Sequence, residues 1–315
     1  MGIYILQYDR YHALGLRRIL EQLFCQQAAL HSLLLDAKEI LLKPNFVVPE
    51  HHERWSTTHP VFYLTVAEIL REWGKNVTIG ESPAFGSTRQ ALARHNALQR
   101  CHELGVRFLT FRKTKTIPGI PGHPHFHKLT VAAELDDFDA VINLPKLKVH
   151  CQTVFTGATK NLYGCVPGKR KAYRHFVSGN DLSAFMKMIH MTAAHVAPVF
   201  NIADGIVMMH RKGPRGGEPF ALNRIIASES YLQLDWLFAA MIGLDPASQP
   251  LFRALPDTQV EQMRNELAAY TSDHPDFPSL TGFCHATPID IEFSVPQMLR
   301  SLWRSLRQKF SLSSS

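Results

Sequence analysis

Short apolar runs alternating with amphipathic helical segments constrain this chain more than any other feature. Runs of strand length lie at residues 3–7, 39–43, 76–80, 106–111, 140–144, 199–203 and 224–227. Alternation of this kind predicts crossover units, and so an α/β fold with a largely parallel or mixed sheet and helices on both faces. Between the strands, HPVFYLTVAEILREWG (59–74) carries Val66, Ile69, Leu70 and Trp73 at helical spacing, with Gly74 at the C-terminal cap position. Further helices are predicted over 87–104, 152–163, 181–195 and 230–242. The Pro- and Gly-rich stretch TKTIPGIPGHPHFHK (114–128) reads as a loop, one that could separate two lobes.

With 315 residues and 45% hydrophobic content, the chain can bury a sizeable core, either as one large domain or as a bilobed one. The expectation is a single domain over 1–290, followed by a distinct segment at 295–315. No apolar run reaches the roughly 18 residues of a membrane span. The start, MGIYILQYDRYH, lacks a secretory layout, so a cytoplasmic location is expected. The net charge of +7 suits anionic partners in general and selects none of them. Cys25, Cys101, Cys151, Cys165 and Cys284 form no CxxC pair and no ferredoxin-type run, so no iron–sulfur cluster is expected.

In a parallel sheet, functional loops leave the carboxyl ends of the strands. Polar groups fall at such positions here: KPN (43–45), GESP (80–83), PKLKVH (145–150) and ADG (203–205). If the extended backbone continues past Leu144, then Lys146, Lys148 and His150 share one face and Leu147 and Val149 the other. The segment CQTVFTGATKNLYG (151–164) reads as a short helix opened by Thr153 or Thr156, returning Lys160 and Asn161 toward the same place. A row of lysines binds a carboxylate or phosphate as point charges, and a desolvated lysine can serve as a base or nucleophile. A solvated strand end is the competing reading of each lysine taken singly.

The stretches KPNFV, TTHP, VTIGESP, INLPKLKVH, TGATKNLYGCVPG and ADGIVMMHRKGPRGGEP occur in this order. Together they resemble the bacterial and archaeal family catalogued as domain of unknown function number three hundred and sixty-two, over about residues 38–245. Many members carry an appended ferredoxin-like domain, and the resemblance therefore implies a stand-alone form here. Glu81 and Val149 stand where the family commonly has Asp and Thr. A looser likeness, of site type and not of motif, is to the lactate-racemase family, whose cofactor is not carried over.

The resemblance and the strand ends together give a candidate site. Lys43, Asn45, Lys146, Lys160, Asn161 and Arg215 are the expected substrate-binding residues, and His150, Lys148 and Glu81 the proton-transfer groups. A divalent metal is the candidate cofactor, with His59, His150, His175 and Asp204 as its expected ligands. The stretch GPRGGEP (213–219) matches no nucleotide-binding fingerprint and reads as a loop over the site, with Arg211, Lys212 and Arg215 toward the ligand. KRKAYRH (169–175) reads as an anion-binding lid, with no motif for specific nucleic-acid recognition. His123, His125 and His127 read as a surface loop.

In the tail, Leu299, Leu302, Trp303, Leu306 and Phe310 form an apolar stripe, with Arg300, Arg304, Arg307 and Lys309 off it. That pattern is a basic amphipathic helix, suited to an anionic membrane surface, a protein partner or its own domain. The expected function is an enzyme acting on a small anionic metabolite by acid and base chemistry. The alternatives are a redox enzyme served by a separate ferredoxin, or a non-catalytic carrier in a biosynthetic pathway.

Overall fold

The computed structural model describes residues 2–179, 181–270 and 274–289. The basic tail at 295–315 lies outside them. The strands are β1 (Ile3–Gln7), β2 (Glu39–Pro44), β3 (Asn76–Glu81), β4 (Arg107–Thr110), β5 (Thr114–Pro118), β6 (Lys128–Ala132), β7 (Ala140–Leu144), β8 (Lys146–His150), β9 (Val154–Thr156), β10 (Phe200–His210) and β11 (Glu218–Ser228). The helices are α1 (Ala13–Gln26), α2 (Ala28–Asp36), α3 (Pro60–Glu72), α4 (Thr88–Arg94), α5 (Leu98–Glu103), α6 (Ala158–Leu162), α7 (Arg170–Val177), α8 (Leu182–Val196), α9 (Tyr231–Met241), α10 (Pro250–Arg253) and α11 (Asp257–Glu266).

One mixed sheet runs in the order β1-β11-β10-β7-β2-β3-β4, with β8 joined to β10 and β9 joined to β8. From β10 through β7, β2 and β3 to β4 every pairing is parallel, while β11 lies antiparallel to both β10 and β1. Successive strand side chains point to opposite faces, so each central strand feeds two cores. Ile40, Leu42, Ile142 and Ile202 pack with Leu20 and Phe24 of α1 and Phe62 and Val66 of α3. On the opposite face, Leu41 and Val141 meet Leu162 of α6 and Ala193 of α8, while Ala203 and Ile226 meet Phe185 of α8 and Phe238 of α9. The fold is therefore α/β with a mostly parallel sheet and helices on both faces.

Three expectations are corrected. The helix predicted over 87–104 is broken into α4 and α5, because Asn96 takes a left-handed conformation (φ 55°) that asparagine tolerates better than most residues. The stretch 114–128 is not all loop. Its ends form β5 and the start of β6, paired antiparallel from Thr114↔Ala132 to Pro118↔Lys128, with the histidine-bearing turn between them. The helix predicted over 152–163 is replaced by β9 and a shorter α6. Neither Thr153 nor Thr156 opens that helix. Asp235, reaching across from α9, accepts from Ala158 N (2.6 Å) and Thr159 N (2.9 Å). A Cβ on Gly157 would stand 2.0 Å from Asp235 Oδ1, so the turn requires glycine there.

Candidate functional site

Pro145 separates β7 from β8, both of which lie parallel to β10, and in β8 Lys146 stands opposite Asp204 and Lys148 opposite Met209. Leu147 and Val149 enter the apolar cluster with Phe155 and Phe185. Lys146, Lys148 and His150 occupy the other face, and all three are buried. Buried ammonium groups require partners. The partners divide the predicted residues into separate groups.

The first group neutralises Lys43. Its Nζ forms an ion pair with Glu81 Oε2, donates to Pro44 O (2.9 Å) and lies 3.5 Å from Asn161 Oδ1. The other Glu81 oxygen accepts from Ser82 N at 2.8 Å. Asn161 Nδ2 donates to Lys43 O (3.0 Å) and to Asn143 Oδ1 (2.8 Å), and Asn143 Nδ2 donates to Asn201 Oδ1 (2.8 Å). This amide chain crosses β2, α6, β7 and β10. Gly164 lies flat against the ion pair, for its Cβ would fall 2.1 Å from Glu81 Oε1.

The second group neutralises Lys146. Its Nζ donates to Asp204 Oδ2 (2.9 Å) and Tyr11 OH (2.8 Å), while Tyr11 donates to Asp204 Oδ1 (2.7 Å). The backbone N–H of His59 also donates to Asp204 Oδ2, at 2.9 Å, and the His59 ring stacks on Tyr11 with centroids 3.7 Å apart. Burial, opposed by Asp204, lowers the Lys146 pKa. Burial and then Lys146 press the His59 pKa down to about 2. His59 Nδ1 accepts from Val61 N and caps α3, whose first residue is Pro60.

Lys148 is different. Its Nζ donates to Asn45 Oδ1 (3.1 Å) and to the Ser56 carbonyl, both neutral, and no salt bridge reaches it among the described residues. Burial holds its pKa well below the ordinary 10.5, opposed by the more distant Glu50. Asn45 is fixed by its own N–H, which donates to Thr58 Oγ1 (2.8 Å), and Thr58 in turn donates to Leu144 O (2.7 Å).

His150 Nδ1 accepts from Gln152 N (3.0 Å) and Thr153 N (3.3 Å). A nitrogen that accepts carries no proton, so the neutral ring bears its hydrogen on Nε2. Burial, with Lys160, His175 and Lys148 nearby, holds the His150 pKa well below 6.5. Burial and then Lys160 do the same to His175. Lys160 is half-buried, with its Nζ 5.5 Å from the Tyr163 ring centre, and burial lowers its pKa to about 8. The loop arginine expected to face a ligand is otherwise engaged: Arg215 binds Glu50 Oε2 through Nε (3.0 Å) and Nη2 (2.6 Å). In the segment read as an anion-binding lid, α7 turns Lys171 inward to the carbonyls of Ser82 and Val166, and Arg174 to Thr130 O.

The four expected metal ligands do not converge. His59 and Asp204 belong to the Lys146 group, with the carboxylate consumed by Lys146, Tyr11 and the His59 N–H, whereas His150 and His175 lie with Lys160. Among the described residues, the group of three or more metal-capable side chains whose ligand atoms lie within 4.8 Å of one another is His51, His52 and Glu53. Sequence reading also passed over Tyr11, Asn143, Asn201 and Asp235. Asn143 within AVINL was the legible one, as a polar side chain inside an apolar strand needs a buried partner.

A family model described as "Domain of unknown function (DUF362)" matches residues 40–240. A thylakoid-associated protein of Synechocystis sp. is 31% identical over 310 residues, 98% of this chain and 95% of that protein. Among solved structures, the lactate racemase apoprotein from Thermoanaerobacterium thermosaccharolyticum superposes with a TM-score of 0.48 at 13% identity, covering 69% of this chain and about half (52%) of that one. No helix among the described residues is long and apolar enough to cross a membrane. With the family model matched across the central sheet and its lysine-bearing strand ends, the chain belongs to the DUF362 family.

Proposed function

We propose that the protein is an enzyme acting on a small carboxylated or phosphorylated metabolite by acid and base chemistry, with Lys148 as base, His150 as proton donor and Lys160 as the anion-holding cation. The observation that carries the reading is the buried Lys148, whose hydrogen bonds among the described residues go only to neutral oxygens while Lys43 and Lys146 each have a carboxylate. A neutral amine has two N–H bonds. Asn45 Oδ1 and the Ser56 carbonyl accept both, leaving the lone pair to take a proton. His150, with Nδ1 occupied, offers Nε2–H as an acid. Glu81, engaged by Lys43 and Ser82 N, serves as the fixed counter-charge of Lys43.

The test is a thermal-shift screen of carboxylated and phosphorylated metabolites, with binders assayed by NMR for exchange of carbon-bound hydrogen in deuterated water. Lys148→Met, which keeps the buried volume, and His150→Gln are each expected to slow exchange by about 100-fold or more. Exchange unchanged in a folded Lys148→Met protein would end the assignment.

A second reading concerns location, and rests on the name of the relative aligned over 98% of the chain. We propose that residues 295–315 rest on an anionic membrane surface through their apolar stripe and basic flank. Full-length protein is expected to sediment with vesicles of acidic lipid and to stay in solution with neutral ones. Loss of residues 295–315 should abolish that binding, and retention of it would exclude the tail as anchor.

A further inference from the structure

The loop between β2 and α3 is tied to the site at both ends. Glu50 holds Arg215, and the Ser56 carbonyl accepts from Lys148. Between these anchors stands a 3-10 turn at His52–Arg54, entered by His51 in extended backbone (φ −64°, ψ 142°) and closed by Trp55 in a left-handed conformation (φ 58°). Three successive residues would ordinarily diverge. The change from extended to helical backbone at this point gathers them, so that one ligand atom each from His51, His52 and Glu53 lies within 4.8 Å of the other two. The two imidazole rings are 4.3 Å apart, and His51 Nδ1 is 3.4 Å from Glu53 Oε2.

Two further observations separate this cluster from an ordinary surface turn. His52 Nδ1 is buried and has no hydrogen-bond partner among the described residues, a state that is costly for a polar atom removed from water. The His52 ring also packs edge-on against His59, at 4.6 Å between centroids, and His59 stacks on the Tyr11 that binds Lys146 and Asp204. The cluster therefore borders the lysine-bearing strand ends, while His51 and Glu53 remain open to solvent.

We infer that His51, His52 and Glu53 form a binding site for a zinc-class divalent cation at the edge of the candidate active site. Two imidazoles and one carboxylate are a donor set suited to zinc, cobalt or nickel, with bonds of about 2.0–2.2 Å that small side-chain rotations can supply. Three protein ligands leave a coordination position open on the solvent side, where a water or an oxygen of an anionic ligand can bind. None of the three residues belongs to the proton-transfer set, so the site stands or falls independently of the proposed reaction.

The experiment uses untagged full-length protein treated with chelator and dialysed. Zinc is titrated by calorimetry, and cobalt by its visible absorption. One equivalent is expected to bind, with cobalt bands of a nitrogen- and oxygen-ligated ion. His52→Ala and Glu53→Gln, with circular dichroism as the check on folding, should each weaken binding at least tenfold. His123→Ala and His125→Ala, in the other histidine-rich loop, should leave it unchanged. Absence of stoichiometric binding, or binding indifferent to His52→Ala and Glu53→Gln, would overturn the assignment.

Discussion

Acidification from pH 7 to pH 5 is expected to cost the folded protein about 3 kcal/mol or more, chiefly through two buried histidines. His95 lies between Thr57 Oγ1 and Tyr63 OH, each 3.1 Å away, and burial, with His52 and His51 nearby, holds its pKa down to about 3. His59 is held at about 2 by burial and Lys146. The ordinary value for both is 6.5, so below that pH the unfolded chain binds protons that the native state refuses. The unfolded state then carries the larger number of bound protons, and stability falls as pH falls. Over the 1.5 pH units from 6.5 to 5 each histidine contributes about 2 kcal/mol of loss.

One buried carboxyl acts in the opposite sense. Burial raises Asp235 to about 6, so the native state takes its proton before the unfolded chain does and regains roughly 1 kcal/mol by pH 5. His150 and His175, both held well below their ordinary value, add to the loss. Urea midpoints measured at pH 7, 6 and 5 check the balance, and His95→Gln, which retains hydrogen-bonding capacity toward Thr57 and Tyr63, should flatten the slope. A stability independent of pH across this window would contradict the burial of neutral histidines.

The second large effect follows from the Lys146 group. Replacing Lys146 by alanine is expected to destabilise the protein by about 3–5 kcal/mol, because it leaves the fully buried Asp204 carboxylate with only the neutral donors Tyr11 and His59 N–H. Asp204→Ala should cost a similar amount by stranding the ammonium. The double replacement Lys146→Met with Asp204→Leu removes both charges and fills the volume. It is expected to be far less harmful than the sum, with a coupling energy of at least about 2 kcal/mol in a denaturant-unfolding cycle. Strict additivity would mean that the two groups do not share one electrostatic interaction.

The apolar runs located β7 with the observed bounds, and β2 and β3 to within one residue, since a central strand needs continuous apolar sequence to face two cores; β1, at the sheet edge, was also located with its observed bounds. The helices α1 and α2 were missed although Leu16, Leu20, Leu23 and Phe24 repeat at helical spacing. For 151–164 the local signal misled. Two threonines suggested helix caps, whereas pairing of His150 with Val154 drew the segment into β9, and a carboxylate 77 residues away capped α6. Local pattern competes poorly with a long-range partner of full charge.

At the candidate site the sequence by itself determined which residues travel together. The order of the strand ends and the two-residue alternation of β8 put Lys146, Lys148 and His150 on one face, because side-chain direction in a strand is a local property of the backbone. Only the tertiary structure decided how each charge is met. Tyr11 and Asp204 reach Lys146 from 135 and 58 residues away, Glu81 reaches Lys43 across 38, and Lys148 ends among neutral oxygens. Burial makes such differences of partner large in free energy, and chain separation leaves them without a signature in any short stretch of sequence.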